Sequence, residues 1–196
     1  RIHHRETKIP DIVLLVNGMP LVIGEAKTVI RPSISWLDGA HEIHDIYEDA
    51  VPQLFVPNLL SFATEGKELY YGSVRSPLEN WSPWRILSED DALAKAIGLG
   101  EVGKELSDLL HPKRILDILQ NFALFTSNKK KQRIKIICRY QQYEGANMIV
   151  DRVKDGRIKK GLIWHFQGSG KSLLMVYAAQ KLRKMQDLKS PTVIIL

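Results

Sequence analysis

The nine residues Trp164-His165-Phe166-Gln167-Gly168-Ser169-Gly170-Lys171-Ser172 lie between an apolar run, residues 161–164, and a run with helical spacing, residues 173–182. This order predicts a glycine-rich turn that leads from a strand into the N-terminus of a helix. Such a turn directs several backbone N–H groups at one point, and the helix dipole favours an anion there. The stretch, called the phosphate loop below, therefore predicts a nucleotide-binding site.

The single positions of the phosphate loop support this interpretation. Lys171 would reach the β- and γ-phosphates of ATP, and the Ser172 hydroxyl would coordinate the accompanying Mg²⁺. The cradle itself would be formed by Gln167, Gly168, Ser169 and Gly170. His165 stands where the general pattern G-x-x-x-x-G-K-[ST] has its first glycine. A structural turn that binds no nucleotide is the alternative.

Composition places few limits on function. The 196 residues are 44% hydrophobic and 26% charged, which is ordinary for a globular protein. No apolar run approaches the ~20 residues of a membrane span, so no membrane partner is expected. The single cysteine, Cys138, suits a reducing cytoplasm and lies in an apolar run, where a buried structural thiol is expected.

Charge is distributed unevenly along the chain. Residues 1–125 contain 12 Lys/Arg and 18 Asp/Glu, a net charge of −6, whereas residues 126–196 contain 16 and 4, a net charge of +12. This difference suggests two modules, of which the basic one would attract a polyanion such as DNA. A solvated basic surface is the alternative.

The first module is predicted to be a small α/β core. Asn17-Gly18 is a hairpin signal between two apolar runs. A loop is expected at residues 28–38, a helix at 40–50, and an irregular but packed segment at 76–84. Strands are predicted at residues 12–16, 21–26, 59–63 and 69–74.

The remaining sequence predicts a helical linker and the beginning of a parallel sheet. Residues 88–125 have helical spacing, broken at His111-Pro112, and the charge run at residues 129–133 predicts a solvated linker, with DNA contact as the alternative. A helix is predicted at 142–153, and strands at 135–139, 161–164 and 192–196. No acidic residue follows position 187 to serve ATP hydrolysis, so this module is expected to be incomplete.

A second chemical site is predicted in the first module. Asp11 is followed fourteen residues later by Glu25-Ala26-Lys27 at the end of an apolar strand. Two carboxylates on adjacent strands can bind Mg²⁺, with the Ala26 carbonyl as a further ligand, and Lys27 can stabilise negative charge on a phosphodiester. Carboxylates at strand ends are common, so a structural role is the alternative, but burying an unpaired Glu25 would be costly.

This site places a condition on the hairpin. A strict two-residue turn at Asn17-Gly18 would pair Asp11 with Gly24, and Asp11 and Glu25 would then point to opposite faces of the sheet. A shared metal ion requires one face. We therefore predict a one-residue shift in register, through a longer loop near Met19-Pro20 or a bulge.

Together these motifs resemble a known family. Pro10-Asp11 with Glu25-Ala26-Lys27 resembles the PD-(D/E)xK nuclease motif, and its combination with the phosphate loop resembles the restriction (R) subunit of type I restriction–modification enzymes. Further stretches fit in the same order along nearly the whole chain: residues 16–22, 51–58 and 139–143.

The resemblance implies a bacterial or archaeal cytoplasmic enzyme, an ATP-dependent DNA translocase fused to a Mg²⁺-dependent endonuclease. Its partners would be double-stranded DNA and the modification (M) and specificity (S) subunits. The implied fold is a PD-(D/E)xK core with a mixed sheet (residues 1–87), a helical linker (88–128) and the first part of a RecA-like ATPase (129–196). By position, Asp11, Glu25 and Lys27 would be catalytic residues.

Two details stay open within this resemblance. Gln142 would match a glutamine that reads the adenine edge, with Gln141 as a rival. Many relatives carry Gln-x-x-x-Tyr on the helix after the ExK strand. Here Tyr47 is present but Ile43 occupies the glutamine position, flanked by Glu42 and His44, so either another polar residue takes that role or this chain dispenses with it. His41 and His44, which lie close by, are interpreted as surface or capping residues.

Two other functions share part of the evidence. A DNA-repair helicase–nuclease would use both chemistries. A nucleotide-binding regulatory module without nuclease activity would explain the phosphate loop and the charge asymmetry, but not the Asp11, Glu25 and Lys27 pattern.

Overall fold

The computed structural model describes residues 8–28, 30–31, 33–86, 100–127 and 131–194. The first part of the chain forms a mixed sheet in the order β1-β2-β3-β4-β5, with β2 and β3 parallel and the other neighbours antiparallel. Its strands are β1 (Ile12–Val16), β2 (Met19–Ala26), β3 (Leu60–Thr64), β4 (Leu69–Gly72) and β5 (Ser82–Pro83). The mixed α/β fold predicted for this part is confirmed.

A helical segment connects β2 to β3. It consists of α1 (Trp36–His41), a π-helical turn (Glu42–Tyr47) and α2 (Glu48–Ala50). The helix begins four residues before the predicted start because Ser35 caps it. The Ser35 hydroxyl accepts the Leu37 N–H, and the Asp38 carboxylate accepts the Ser35 N–H. Buried Ala40 and Ile43 hold the segment against the sheet.

Within the described residues, the second part contains four α-helices, a hairpin and a short 3-10 helix (Gln186–Leu188). Its elements are α3 (Glu101–Leu109), α4 (Pro112–Asn121), β6 (Ala123–Ser127), β7 (Arg133–Ile137), α5 (Tyr140–Asp155) and α6 (Lys171–Arg183). The predicted break at His111-Pro112 is confirmed, since Pro112 begins α4. Residues 88–99 and 128 of the predicted linker, and 129–130 of the charge run, lie outside the described residues.

Three predicted elements are wrong. Residues 123–125, expected in a helix, form β6, because the antiparallel pairing with β7 satisfies their backbone groups. Residues 161–164 and 192–194 form no strand, and Leu162 and Trp164 are largely exposed. A strand persists only beside a partner, and no strand lies beside either segment in the described chain. The parallel sheet expected there is absent from the described residues.

One hydrophobic cluster runs through both parts of the chain. It joins Phe62 of β3 to Ile118 of α4 and Tyr177 of α6, all of which are buried. A buried hydrogen bond adds to this contact, since the Tyr71 hydroxyl donates to the Cys138 carbonyl oxygen at 2.6 Å. The two modules inferred from charge therefore pack on a common core.

Polar groups also tie the linker to the segment after it. Asp117 of α4 accepts hydrogen bonds from Lys181 of α6 at 2.6 and 2.8 Å and from Tyr143 of α5 at 3.0 Å. The segment at residues 76–84 is irregular and packed, as predicted, and Trp84 within it is fully buried. Among the described residues, no helix is long and apolar enough to cross a membrane.

Candidate functional site

The β1–β2 hairpin contains the predicted shift in register. Asn17 and Gly18 form a two-residue turn, both with positive φ (51° and 79°), as a type I′ turn requires. Leu15 then pairs with Pro20, whereas Leu14 pairs with Val22. One extra residue of β2 is thus accommodated in a bulge, and every pair beyond it is displaced by one position.

The bulge brings Asp11 and Glu25 together. Ile12 pairs with Gly24, so the next pair in this register is Asp11 with Glu25. The Asp11 carboxylate accepts a hydrogen bond from the Ala26 N–H at 2.9 Å, and the Asp11 N–H lies 3.5 Å from Oε2 of Glu25. The predicted one-residue shift in register, through a bulge, is confirmed, and it puts Asp11 and Glu25 at facing positions of the two strands.

Lys27 completes this cluster at the end of β2. Its backbone N–H donates to the Thr64 carbonyl oxygen at 2.7 Å, which extends the parallel pairing with β3 and fixes the position of the residue. Its ammonium group donates to Oε1 of Glu25 at 2.9 Å and also to Oε2 of Glu42. The structure therefore places Asp11, Glu25 and Lys27 at one site.

Glu42 is a member of the site to which the sequence analysis assigned no role, although it flanks the missing glutamine. It lies on the π-helical turn, and its Oε1 accepts a hydrogen bond from the Tyr47 hydroxyl at 2.8 Å. In an α-helix, residues five apart point in different directions, so the pattern Glu-x-x-x-x-Tyr gave no signal. Ile43, which occupies the expected glutamine position, is fully buried in the core instead.

Burial and charge both act on the ionisable groups of the site. Burial raises the pKa of Glu25, against the opposing effect of the Lys27 ammonium. Burial alone would lower the pKa of Lys27, but hydrogen bonds to Glu42 and Glu25 outweigh it and raise that pKa. The hydrogen bond from Lys27 lowers the pKa of Glu42. Lys27 is therefore held as a cation between two carboxylates.

The donor set suits a hard divalent cation. Asp11 and Glu25 offer carboxylate oxygens at one end of the sheet, Ala26 follows with its backbone carbonyl, and oxygen is the ligand that Mg²⁺ prefers. Glu25 is only 3% exposed, so its charge needs a compensating partner. In the described part of the chain, no three His, Cys, Asp or Glu side chains are grouped to hold a metal ion.

The histidines near the site have a simpler role. His41 and His44 each contact the Asp45 carboxylate at 2.6 Å. The hydrogen bond with His44 lowers the pKa of Asp45 most, and that with His41 adds to the effect. Asp45 and His41 are exposed on the helix, which agrees with the interpretation of these histidines as surface residues. His3 and His4 lie outside the described residues.

The phosphate loop forms a turn directly before α6. Gly168 and Gly170 have φ of 85° and 81°, in the left-handed region that favours glycine. Lys171 donates from Nζ to the carbonyl oxygens of His165 (3.1 Å) and Phe166 (2.9 Å), while its neighbour Ser172 is exposed. The loop thus has glycine where its backbone needs it, and Lys171 lies folded over it.

Gln142 is fastened to the phosphate loop. Its Oε1 accepts the Arg139 N–H at 2.8 Å, and its Nε2 donates to the Gly170 carbonyl oxygen at 3.1 Å, which leaves it 2% exposed. Gln141 has a buried Oε1 without a hydrogen-bond partner among the described residues. A role in reading adenine stays a prediction for Gln142, with Gln141 as the rival.

Cys138 behaves as the sequence predicted. It is 1% exposed, and burial raises the pKa of its thiol far above the ordinary value. A thiol that stays protonated is a poor nucleophile, so Cys138 is a structural residue.

Comparisons with known proteins agree with the resemblance drawn from the sequence. Residues 1–80 match the family model of the type I restriction enzyme R protein N terminus, and residues 141–196 match that of the SWI2/SNF2 ATPase. The chain is 34% identical over 193 residues to the type I restriction enzyme HindI endonuclease subunit of Haemophilus influenzae, covering 96% of this chain and 18% of that protein. It is 31% identical over 196 residues, with the same coverage, to the "Putative type I restriction enzyme MjaVIIIP endonuclease subunit" of Methanocaldococcus jannaschii.

The chain spans less than one fifth of the length of these relatives. The match nevertheless covers nearly all of the chain and includes both candidate sites. The resemblance drawn from the sequence is confirmed: the sequence is R-subunit-like, similar over nearly its whole length to endonuclease subunits of type I restriction enzymes.

Proposed function

We propose that this R-subunit-like chain carries a Mg²⁺-dependent DNA endonuclease site, together with the first ATP-binding motif of a DNA translocase. The observation that carries the proposal is the hairpin bulge, which sets Asp11 opposite Glu25 and next to Ala26. Without that bulge the two carboxylates would lie on opposite faces and could not serve one metal ion.

In this proposal each residue of the nuclease site has a separate task. Asp11, Glu25 and the Ala26 carbonyl would hold the cation, which when bound would activate water and neutralise charge on the phosphate. Lys27 holds its proton and would donate hydrogen bonds to the phosphate oxygen that gains negative charge. Glu25, already buried beside Lys27, would keep its charge compensated in the absence of DNA.

The phosphate loop would bind ATP in the same protein. Gln167 to Gly170 would surround the phosphates, Lys171 would exchange its contacts with the loop carbonyls for the β- and γ-phosphates, and Ser172 would coordinate Mg²⁺. The match of residues 141–196 to the SWI2/SNF2 ATPase supports this role. The proposal also includes ATP-driven movement along DNA and assembly with M and S subunits. These two parts are supported by the similarity of the chain to type I restriction enzyme subunits.

We also propose three functional divisions of the chain. Residues 1–87 would form the PD-(D/E)xK nuclease module, 88–128 the linker, and 129–196 the start of the RecA-like motor. The linker would hold the nuclease module and the motor in a fixed relative position, unlike a flexible tether. The reason is that Asp117 in the linker is bonded to Lys181 and α4 belongs to the common core.

Cleavage of supercoiled plasmid DNA tests the proposal. The protein that contains this chain would be assayed with Mg²⁺ and ATP as the parent, as Glu25→Gln, and as Glu105→Gln. Glu105 is a matched control because it is also a buried carboxylate bonded to a cation, Arg85, but it lies in the linker. We expect Glu25→Gln alone to abolish cleavage while ATP hydrolysis continues.

The complementary variant is Lys171→Ala. It should abolish ATP hydrolysis while leaving the fold intact, because Lys171 is exposed and bonded only to carbonyls of its own loop. Parental cleavage by Glu25→Gln would refute the nuclease site, and parental ATP hydrolysis by Lys171→Ala would refute the phosphate loop.

A further inference from the structure

Glu42 contacts two members of the candidate nuclease region at once. Its Oε2 accepts a hydrogen bond from the Lys27 ammonium, and its Oε1 accepts one from the Tyr47 hydroxyl. Each carboxylate oxygen thus has its own donor. Lys27 is held at the end of β2, and Tyr47 is held on the π-helical turn that packs against the sheet. Tyr47 is 3% exposed, so it offers Glu42 a fixed anchor.

The π-helical turn is what allows this arrangement. Five residues separate Glu42 from Tyr47, which in an α-helix would place the two side chains about 140° apart around the axis. The wider π turn, with its i→i+5 hydrogen bonds, brings positions five apart onto one face. Turns of this kind are frequently found at functional sites.

The Lys27 ammonium donates hydrogen bonds to two carboxylates, Glu25 and Glu42. Only Glu42 would still be available as its partner when a metal ion binds. Under the proposed function, Glu25 would turn its charge to a cation, and its hold on the Lys27 ammonium at 2.9 Å would weaken. Glu42 would then remain as the partner of that ammonium. A lysine without it would lose the direction of its long, flexible side chain.

We infer that Glu42 is the positioning residue of this nuclease site, which holds the Lys27 ammonium in place and is itself held by Tyr47. The inference rests on the proposed function and assigns a role to a residue that the sequence pattern passed over. Glu42 makes little contribution to the core, because its side chain is 33% exposed. Its replacement should therefore affect the site more than the fold.

Three variants separate the possible roles of Glu42. Glu42→Ala removes both contacts, and we expect kcat for plasmid cleavage to fall roughly 10–100-fold, with little change in KM for DNA. Glu42→Gln keeps an amide oxygen for Lys27 and can donate its NH₂ to the Tyr47 oxygen, so cleavage should stay within a few-fold of the parent. Asp45→Asn is the matched control, a carboxylate on the same turn that contacts His41 and His44 instead.

A second measurement needs no nuclease activity. The metal-free chain would be treated with an amine-acylating reagent, and the modification of Lys27 would be followed over time by mass spectrometry. Lys27 should react several times faster in Glu42→Ala than in the parent, because its side chain loses a partner that holds it in place and covers it. Asp45→Asn should react at the parental rate, and circular dichroism of each variant would verify the fold.

The outcomes distinguish the inference from the proposed function. If Glu25→Gln still cleaves DNA, the proposed function fails and the role of Glu42 in cleavage fails with it. If Glu25→Gln is inactive but Glu42→Ala cleaves at the parental rate, the inference alone is overturned. The same holds if Glu42→Ala loses cleavage with unchanged acylation of Lys27, or if Glu42→Gln loses as much activity as Glu42→Ala.

Discussion

The Asp11 carboxylate accepts a hydrogen bond from the Ala26 backbone N–H at 2.9 Å, across a hairpin that a single bulge has displaced by one residue. This contact ties the position of Asp11 to the strand that carries Glu25 and Lys27. Backbone pairing, rather than flexible side chains, therefore determines the geometry of the site.

Asp11→Asn separates the charge of this residue from its hydrogen bond. The amide oxygen can still accept the Ala26 N–H, so thermal stability should be retained, while the loss of charge weakens cation binding. We expect DNA cleavage to fall by roughly 10²-fold or more, the scale of losing one group that stabilises charge in a reaction. Asp49→Asn, an exposed carboxylate on α2, is the control. Equal activity of the two variants would contradict a metal-binding role for Asp11.

Gly170→Ala tests the contact between the phosphate loop and Gln142. Both Gly168 and Gly170 have a left-handed φ, which is strained for alanine. A Cβ at position 170 would also lie 2.1 Å from Nε2 of Gln142, whereas a Cβ at position 168 would meet nothing within 4 Å. Gly168→Ala should cost only the conformational strain, about 1–2 kcal/mol. Gly170→Ala should cost more, measured by urea unfolding.

The double variant Gly170→Ala/Gln142→Ala supplies the control. Removing the glutamine side chain removes the clash, so the extra cost of Gly170→Ala should shrink. If that extra cost is the same with and without Gln142, the close packing of the two residues is not the cause.

Acid should weaken the contact between α4 and α6. Burial would raise the pKa of Asp117, but hydrogen bonds from Lys181 and Asn121 outweigh it and lower the pKa below the ordinary value. The pair therefore stabilises the fold above the ordinary Asp pKa, about 3.9, and that contribution is lost as the pH falls through the lower folded pKa.

The variant Asp117→Asn measures this contribution. It should destabilise the protein by about 1–3 kcal/mol at pH 7 and by less at pH 3, which is below the ordinary Asp pKa, so that unfolding is accompanied by protonation of the carboxylate. Free energies of unfolding by urea at the two pH values provide the comparison. An equal loss at both would show that charge on Asp117 does not contribute.

The basic half of the chain should provide salt-sensitive DNA affinity. Lys159 and Lys160 are exposed after α5. If each lysine contacts a phosphate, replacing one lysine by glutamine should reduce the magnitude of the slope of log K against log salt concentration by about 0.9. Lys67→Gln, an exposed lysine in the acidic half, should leave the dependence unchanged. Fluorescence anisotropy across a salt series would show whether the double variant Lys159→Gln/Lys160→Gln differs from it.

The sequence predicted the parts of the fold that short-range patterns determine. The hairpin at Asn17-Gly18 and the break at Pro112 follow from turn and helix chemistry alone. The shift in register was predictable because only one face of the sheet can serve Asp11 and Glu25 together. These features depend on local backbone preferences and on the two-residue period of a strand.

Other features depended on contacts that no local pattern reveals. The strand at residues 123–127 exists because β7 pairs with it, and the apolar run at 161–164 forms no strand because it has no such partner. The role of Glu42 could not be assigned from the sequence because a π turn changes the spacing of its helix. Spacing rules for α-helices cannot identify a residue whose role depends on leaving the α-helical period.

The most direct test of the account is the position of a divalent cation. Crystals of the protein would be grown with Mn²⁺ in place of Mg²⁺, and anomalous scattering would locate the ion. We predict a peak at bonding distance from the carboxylates of Asp11 and Glu25, absent from crystals of Glu25→Gln. A protein whose cleavage of DNA requires the metal, but whose Mn²⁺ binds away from these two carboxylates, would contradict the proposed site.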